Sequence, residues 1–132
     1  MLAHVAYRDS KVAVENAVGR HTLMDYRVVP RCIHNIPEIV AVGMSENEAR
    51  SEGYEPRIGR FPLTVNGMGS ILEEGGFMKV VADSRHGNVF GVHILAPGGT
   101  ELIGEATIAM KLRTAKICLT PCMPILPSLK DL

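Results

Sequence analysis

The chain has 132 residues, 46% of them hydrophobic, and its 14 basic and 14 acidic side chains leave no formal net charge. This length fits one domain with a core of its own, and the balanced charge argues against nucleic acid or an anionic membrane as a partner. The apolar stretches are shorter than the roughly 20 residues that span a bilayer, and Met1 does not open a secretory signal, so we expect a soluble, cytoplasmic chain.

Two helices are predicted in the first half of the chain. Residues Leu2 to Val18 carry apolar side chains at helical spacing, and Gly19 stands where a left-handed C-terminal cap would lie. A second, short helix is predicted over Ser45 to Glu52, because Ser45 and Glu48 form a capping box and Gly53 ends the run.

Four strands are predicted between and after these helices. Arg31 to His34 and Ile39 to Gly43 are separated by a turn at Pro37, since proline cannot donate to a ladder. Phe77 to Asp83 and Asn88 to Leu95 are joined by a short polar loop and are expected to pair as a hairpin. The strands therefore predict an antiparallel sheet.

A last helix is predicted over Thr100 to Leu112, with Thr100 as its N-cap. Together the predicted helices and strands indicate an α+β fold, an antiparallel sheet flanked by helices, in a single domain over residues 1–132. Pro121, Pro124 and Pro127 exclude a continuous helix near the C-terminus.

Several short motifs, in this order along residues 1–118, resemble the C-terminal interface domain of dihydrolipoamide dehydrogenase, a pyridine nucleotide–disulfide oxidoreductase. They are Met1-Leu2-Ala3-His4, Lys11-Val12-Ala13-Val14-Glu15, Ile36-Pro37-Glu38-Ile39, Gly59-Arg60-Phe61-Pro62, Gly76-Phe77-Met78-Lys79-Val80 and Gly91-Val92-His93-Ile94-Leu95. The resemblance implies a dimerisation domain, which in the full enzymes follows FAD-binding and NAD-binding domains. No G-x-G-x-x-G fingerprint and no redox Cys-x-x-x-x-Cys occurs in the chain, so no cofactor is expected in it alone.

The resemblance assigns one cofactor contact. In relatives the first turn of the opening helix faces the flavin, which makes Met1, Leu2, Ala3 and His4 the candidate flavin-binding residues, because a helix N-terminus stabilises the negative charge of a reduced ring. The alternative interpretation is that these residues are only the first turn of a core helix.

The C-terminal tail, from about residue 119 to 132, departs from the family. Where relatives carry a catalytic His-x-His-Pro-Thr-x-Ser-Glu signature, this chain reads Cys122-Met123-Pro124-Ile125-Leu126-Pro127-Ser128. Loss of a single base after the cysteine codon of a Cys-His-Ala-His-Pro-Thr-Leu-Ser coding stretch yields this string, so we hypothesise a frameshift. We expect no catalytic residue in the chain.

The remaining candidate residues receive structural interpretations. His34 and His93 are interpreted as ordinary strand or turn histidines, since the sequence places no carboxylate near His34. Cys32, Cys118 and Cys122 are interpreted as reduced thiols, and no metal site is expected, because Pro121 argues against a helix that would bring the last two thiols together.

The predicted function is that of a dimerisation-domain fragment of a flavin-dependent dihydrolipoamide dehydrogenase-like oxidoreductase. The family role is dithiol oxidation with NAD as acceptor, in redox homeostasis, and the fragment is expected to be an inactive homodimer by itself. One alternative is a stand-alone module that associates with itself without catalysis. A further alternative is a small thiol- or metal-binding protein that uses Cys118 and Cys122.

Overall fold

The computed structural model describes residues 2–65, 75–85 and 87–112. In chain order the elements are helix α1 (Ala3–Ala17), a 3₁₀ turn (Tyr26–Val28), strands β1 (Arg31–Ile33) and β2 (Glu38–Gly43), helix α2 (Glu46–Ser51), strand β3 (Pro56–Pro62), a second 3₁₀ turn (Leu63–Val65), strands β4 (Phe77–Asp83) and β5 (Val89–Ala96), and helix α3 (Gly99–Lys111). The five strands form one antiparallel sheet in the order β1-β2-β5-β4-β3. The predicted α+β class is confirmed. In the described residues no helix is both long and apolar enough to cross a membrane.

Strand β3 was not predicted from the sequence. It begins and ends with proline and carries Gly59 and two arginines, all of which weaken a strand signal. Within the described residues it pairs only with β4 and forms an edge of the sheet. Proline and charge are tolerated at such an edge, where half of the backbone groups need no strand partner.

The core lies between α3 and one face of the sheet. Alternate residues of β2, β4 and β5 point to this face, as the period of two requires, and Val40, Val42 and Ile94 are at most 1% exposed. Ile103, Ala106 and Met110 recur at helical spacing on α3 and pack into the same cluster. This face therefore supplies the hydrophobic stabilisation of the described domain.

The helix ends show which local signals were correct. Gly19 and Gly53 have φ angles of +86° and +84°, and both follow the C-caps of their helices, which confirms the two predicted stops. The capping box of α2 is also confirmed, since the Ser45 hydroxyl accepts from the Glu48 N–H and the Glu48 carboxylate accepts from the Ser45 N–H.

The prediction of Thr100 as the N-cap of the last helix was wrong. Helix α3 begins at Gly99 after Gly98, and Thr100 is its second residue. Both the backbone N–H and the hydroxyl of Thr100 donate to the Glu38 carboxylate at 2.9 Å. A carboxylate 62 residues away in the chain therefore does the work of a local cap, which no local pattern reveals.

Helix α1 is not a core helix. None of its residues is buried, and its partly covered positions include Val5, Asp9 and Val12. The expectation that α1 is a core helix does not hold for the described residues, and the flavin contact of its first turn stays a prediction. Polar contacts hold α1 to the rest of the domain, among them a 2.9 Å hydrogen bond from the Tyr26 hydroxyl to Asp9.

Candidate functional site

The first turn of α1 carries the residues that were predicted to contact a flavin. Leu2 is the N-cap residue in an extended conformation, and Ala3 and His4 lie in the first turn. Met1 lies outside the described residues. No side chain caps this terminus and no acidic residue occurs in the first turn, so its backbone N–H groups present partial positive charge outward. The chemistry of the turn suits a ring edge that gains negative charge.

His4 fixes where this turn points. Its Nε2 lies 2.9 Å from the carbonyl oxygen of Pro30, a residue that directly precedes β1. The bond joins residues that are 26 positions apart and ties the start of α1 to the sheet. His4 therefore acts here as a positioning residue, and the first-turn N–H groups rather than its ring are the groups free to face a ligand.

A groove of about 840 Å³ opens beside the start of α1 and the end of α3. Its lining includes Leu2, Asp25, Tyr54, Phe90 and Lys111. The rings of Tyr54 and Phe90 pack in a tilted arrangement, with an interplanar angle of 42° and centroids 4.6 Å apart, a spacing typical of favourable aromatic pairs. The groove therefore combines an aromatic wall with charged groups, where the start of α1, the first 3₁₀ turn and the end of α3 meet.

Asp25 is the electrostatic centre of that junction. Its carboxylate lies 2.9 Å from the Arg27 Nε and 3.1 Å from the Lys111 Nζ. Hydrogen bonds from Arg27 and then from Lys111 hold the pKa of Asp25 far below its ordinary value of 3.8. The pair with Lys111 joins the segment after α1 to the last turn of α3, and it stabilises the position of one wall of the groove.

The sequence did not reveal the carboxylate beside His34. Glu38 lies four residues later, across the β1–β2 turn, and its Oε1 is 3.9 Å from the His34 Nδ1. The other oxygen of Glu38 holds Thr100, and these hydrogen bonds are the main reason that the pKa of Glu38 lies below its ordinary value. Because the Glu38 carboxylate is engaged at the start of α3, its arrangement fits a structural role.

His93 also occupies a structural position, as predicted. Its Nε2 lies 3.1 Å from the carbonyl oxygen of Met44, which fastens the β2–α2 connection onto β5. On the neighbouring strand the Lys79 Nζ donates to Glu46 of α2 at 2.7 Å, and Arg50 donates to the same carboxylate at 3.1 Å. The hydrogen bond from Lys79, followed by that from Arg50, lowers the pKa of Glu46.

The structure describes only one of the three cysteines whose thiols were predicted to be reduced. Cys32 on β1 is half-buried, and burial, followed by the charge of Glu38, raises the pKa of its thiol. Cys118 and Cys122 lie outside the described residues, as does the whole tail from residue 119 to 132. Among residues 2–65, 75–85 and 87–112 no group of three or more His, Cys, Asp or Glu side chains could hold a metal ion.

An apolar surface lies open on the sheet, at a place that the sequence alone did not indicate. Residues directly opposite each other on neighbouring strands share a face, and one such cross-strand line runs through all five strands on the face opposite the core. This apolar row consists of Ile33, Ile39, Leu95, Phe77 and Pro62. Ile33, Ile39 and Phe77 are 59%, 42% and 41% exposed. Only the strand order and register bring these five residues into one line.

Comparison with known proteins shows the family to which the domain is related. The chain matches the dimerisation-domain model of the pyridine nucleotide-disulphide oxidoreductases over residues 29–132. It is 38% identical over 112 residues to dihydrolipoyl dehydrogenase 3 of Pseudomonas aeruginosa, covering 84% of this chain and 24% of that protein. It is 39% identical over 110 residues to the dihydrolipoyl dehydrogenase of Bacillus subtilis, covering 82% of this chain and 23% of that protein. The chain thus spans about a quarter of the length of these relatives.

Solved structures agree with this placement. The crystal structure of LpdA from Mycobacterium tuberculosis superposes with a TM-score of 0.85 at 26% sequence identity, covering 96% of this chain and 28% of that one. The HOCl-induced flavoprotein disulfide reductase RclA of Escherichia coli gives a TM-score of 0.82 at 19% identity, a likeness that concerns the fold alone.

Proposed function

This chain belongs to the dimerisation-domain family of the pyridine nucleotide-disulphide oxidoreductases, and from that premise we propose that it is the self-association domain of a dihydrolipoyl dehydrogenase-like flavoprotein. The observation that carries the proposal is the family match over residues 29–132, which includes every strand of the sheet. The activity of the whole protein would be oxidation of a dithiol with NAD as acceptor, in redox homeostasis. The domain itself contributes association and no catalytic residue, and it is inactive alone.

The flavin contact belongs to this proposal. The uncapped, acid-free first turn of α1 would offer the backbone N–H groups of Ala3 and His4 to the pyrimidine edge of FAD, with Leu2 at its rim. When bound, FAD supplies the transfer of electrons between the dithiol and NAD. The residues of this chain hold and orient the ring edge, and the bond between His4 and Pro30 keeps the turn in place.

The exposure of α1 favours a domain of a larger reductase over a stand-alone module. The outer side of the helix is a stripe of small and apolar residues at helical spacing, namely Ala3, Ala6, Tyr7, Ala13, Val14, Ala17 and Val18, and all of them are exposed. Tyr7 and Val14 are 80% and 64% exposed. An apolar stripe of this length is typical of a surface that is covered in the working protein.

Two measurements test the proposal. Sedimentation equilibrium over protein concentrations of about 1 to 100 μM should give a dimer, since useful self-association lies in this range of dissociation constants. The purified chain should be colourless and should not oxidise dihydrolipoamide with NAD. A strict monomer would refute self-association, and turnover by the chain alone would refute the division between association and catalysis.

A subunit-exchange experiment distinguishes a domain of a larger reductase from a stand-alone module that binds a homologue. The chain is incubated with intact Bacillus subtilis dihydrolipoyl dehydrogenase, and native mass spectrometry records the species formed. A stand-alone module that acts on a homologue would form a heterodimer of one fragment and one full-length subunit with reduced activity. If the chain is instead the self-association domain of a larger reductase, we expect homodimers of the chain, homodimers of the enzyme and unchanged enzyme activity.

A further inference from the structure

Helix α1 is attached to the domain by a different kind of contact from α3. Helix α3 buries Ile103 and Ala106, among others, in the core. None of the 15 residues of α1 is buried, and on its covered side Val5, Asp9 and Val12 are only partly shielded from solvent. Burial of apolar surface therefore contributes much less to the attachment of α1 than to that of α3.

Two hydrogen bonds, called here the latch bonds, hold α1 against the segment that follows it. The His4 Nε2 lies 2.9 Å from the carbonyl oxygen of Pro30, and the Tyr26 hydroxyl donates to Asp9 at 2.9 Å. Both Pro30 and Tyr26 lie between the end of α1 and the start of β1. The latch bonds are exposed to solvent, where water competes for their donors and acceptors, so each contributes modestly to the attachment.

The segment that receives the latch bonds is itself anchored to the core. Val28 packs against the core cluster, and the Asp25 carboxylate pairs with Lys111 of α3 at 3.1 Å. Where the chain leaves α1, the Asn16 amide donates to the Thr22 carbonyl at 3.0 Å and its oxygen accepts from the Thr22 N–H at 2.8 Å. The segment therefore belongs to the body of the domain, and α1 is the element that can leave it.

The residues of α1 form a weak helix by themselves. The helix has no side-chain cap at its start, no acidic residue in its first turn and no basic residue in its last turn. Its sequence includes valine, serine, aspartate and asparagine, which favour a helix less than alanine does. Isolated helices shorter than about 12 to 15 residues are marginal in water even when they are rich in alanine. Loss of the contacts to the domain should therefore melt α1.

We infer that α1 opens and closes as a unit while the sheet and α3 remain folded, and that the latch bonds keep it closed. Opening removes Leu2 from the wall of the groove beside α1 and releases the hydroxyl of Tyr26, which lines the same groove. One consequence rests on the proposed function: the first-turn N–H groups can meet the edge of a flavin ring only while α1 is closed. The fold therefore contains a conformational latch at the candidate flavin contact.

Native-state hydrogen exchange of the full chain, recorded by NMR at low concentrations of urea, tests the inference. Amides of α1 should exchange at least about tenfold faster than those of β5 and α3, because α1 opens without global unfolding. Their rates should also rise with urea much less steeply, since the opening of one exposed helix uncovers little surface. The slowest amides of β5 should follow the urea dependence of global unfolding.

A pair of tyrosine variants tests the latch bond to Asp9. Tyr26→Phe removes the hydroxyl that donates to Asp9, so it should speed exchange throughout α1 by about three- to tenfold and leave β5 unchanged. Tyr7→Phe is the matched control, because Tyr7 is 80% exposed on the outer side of α1. It removes the same group from the helix itself and should leave the exchange of α1 unchanged.

A pair of glycine variants tests whether α1 opens as one unit. Gly19 and Gly53 follow the ends of α1 and α2 with φ angles of +86° and +84°, and a Cβ at either position would meet no atom within 4 Å. Alanine is unfavourable in this left-handed conformation. Gly19→Ala should speed exchange by about three- to tenfold along the whole of α1, including its first turn, and leave the urea midpoint of the sheet unchanged. Gly53→Ala should leave the exchange of α1 unchanged.

The outcomes are distinct. Exchange in α1 that is as slow as in β5 and equally steep in urea overturns the inference, because α1 then opens only when the whole domain unfolds. If Tyr26→Phe changes α1 and β5 to the same extent or changes neither, the bond to Asp9 is not a latch. Faster exchange in Gly19→Ala that is confined to the last turn shows fraying and overturns opening as a unit. The exchange experiment does not require a dimer, so a monomeric chain would refute the proposed self-association and leave this inference standing.

Discussion

Replacement of Gly91 by alanine is expected to lower the free energy of unfolding by about 2 to 4 kcal/mol. A Cβ atom at this position would lie 2.1 Å from the carbonyl oxygen of Met44 and 2.9 Å from its backbone nitrogen. These atoms belong to the backbone between β2 and α2, so a side-chain rotation cannot relieve the overlap.

The magnitude follows from what must move. Overpacking of a well-packed interior costs about 1 to 3 kcal/mol. The Met44 carbonyl also lies 3.1 Å from the His93 Nε2, and its displacement would break a bond worth about 0.5 to 1.5 kcal/mol. The Met44 N–H donates to Phe90 at 2.9 Å, which opposes the displacement. The free energy of unfolding of a typical domain is about 5 to 15 kcal/mol, so the variant should remain folded at 25 °C.

Urea unfolding followed by far-ultraviolet circular dichroism measures the effect, with the m-value expected to stay constant. Gly104→Ala is the matched control, because Gly104 lies within α3 and its Cβ would meet no atom within 4 Å. Alanine should raise the stability there by about 0.5 to 1 kcal/mol through helix propensity. The reasoning is refuted if Gly91→Ala lies within about 0.5 kcal/mol of the parent, or if Gly104→Ala is the more damaging change.

Three further predictions concern the core, a charge cluster and a helix start. Ile94→Ala should cost about 2 to 5 kcal/mol in the same urea experiment, because Ile94 is 1% exposed, and a loss under about 1 kcal/mol would contradict its place in the core. In the folded state the pKa of Asp25 is lowered from 3.8, so its stabilising contribution is present above about pH 4 and lost as the pH falls below it. Asp25→Asn should therefore weaken the fall of the free energy of unfolding at acid pH. An unchanged dependence on acid pH would refute this. Glu38→Ala removes the acceptor and should speed hydrogen exchange in the first turn of α3, most at Thr100, and protection equal to the parent's would show that Glu38 is not the cap.

Local patterns were sufficient for the elements that carry strong local signals. The capping box at Ser45 fixed the start of α2, the left-handed glycines at 19 and 53 fixed two helix ends, and the strand Phe77–Asp83 was predicted with the bounds that the structure has. These succeed because the interactions that form them join residues close together in the sequence. Strand β3 failed for the converse reason, since its prolines and arginines are acceptable only at a sheet edge.

The sequence by itself determined the family and the α+β class, because these depend on residue identities and short spacings; the flavin contact at the start of α1, which the family resemblance implies, stays a prediction. The tertiary structure alone decided which groups meet. Glu38 caps a helix that begins 61 residues later in the chain, and α1 stands outside the core with an apolar outer side. Ile33, Ile39, Leu95, Phe77 and Pro62 form a single row only through the strand order and register. Burial and cross-strand pairing depend on the path of the whole chain, and no local window of the sequence contains that path.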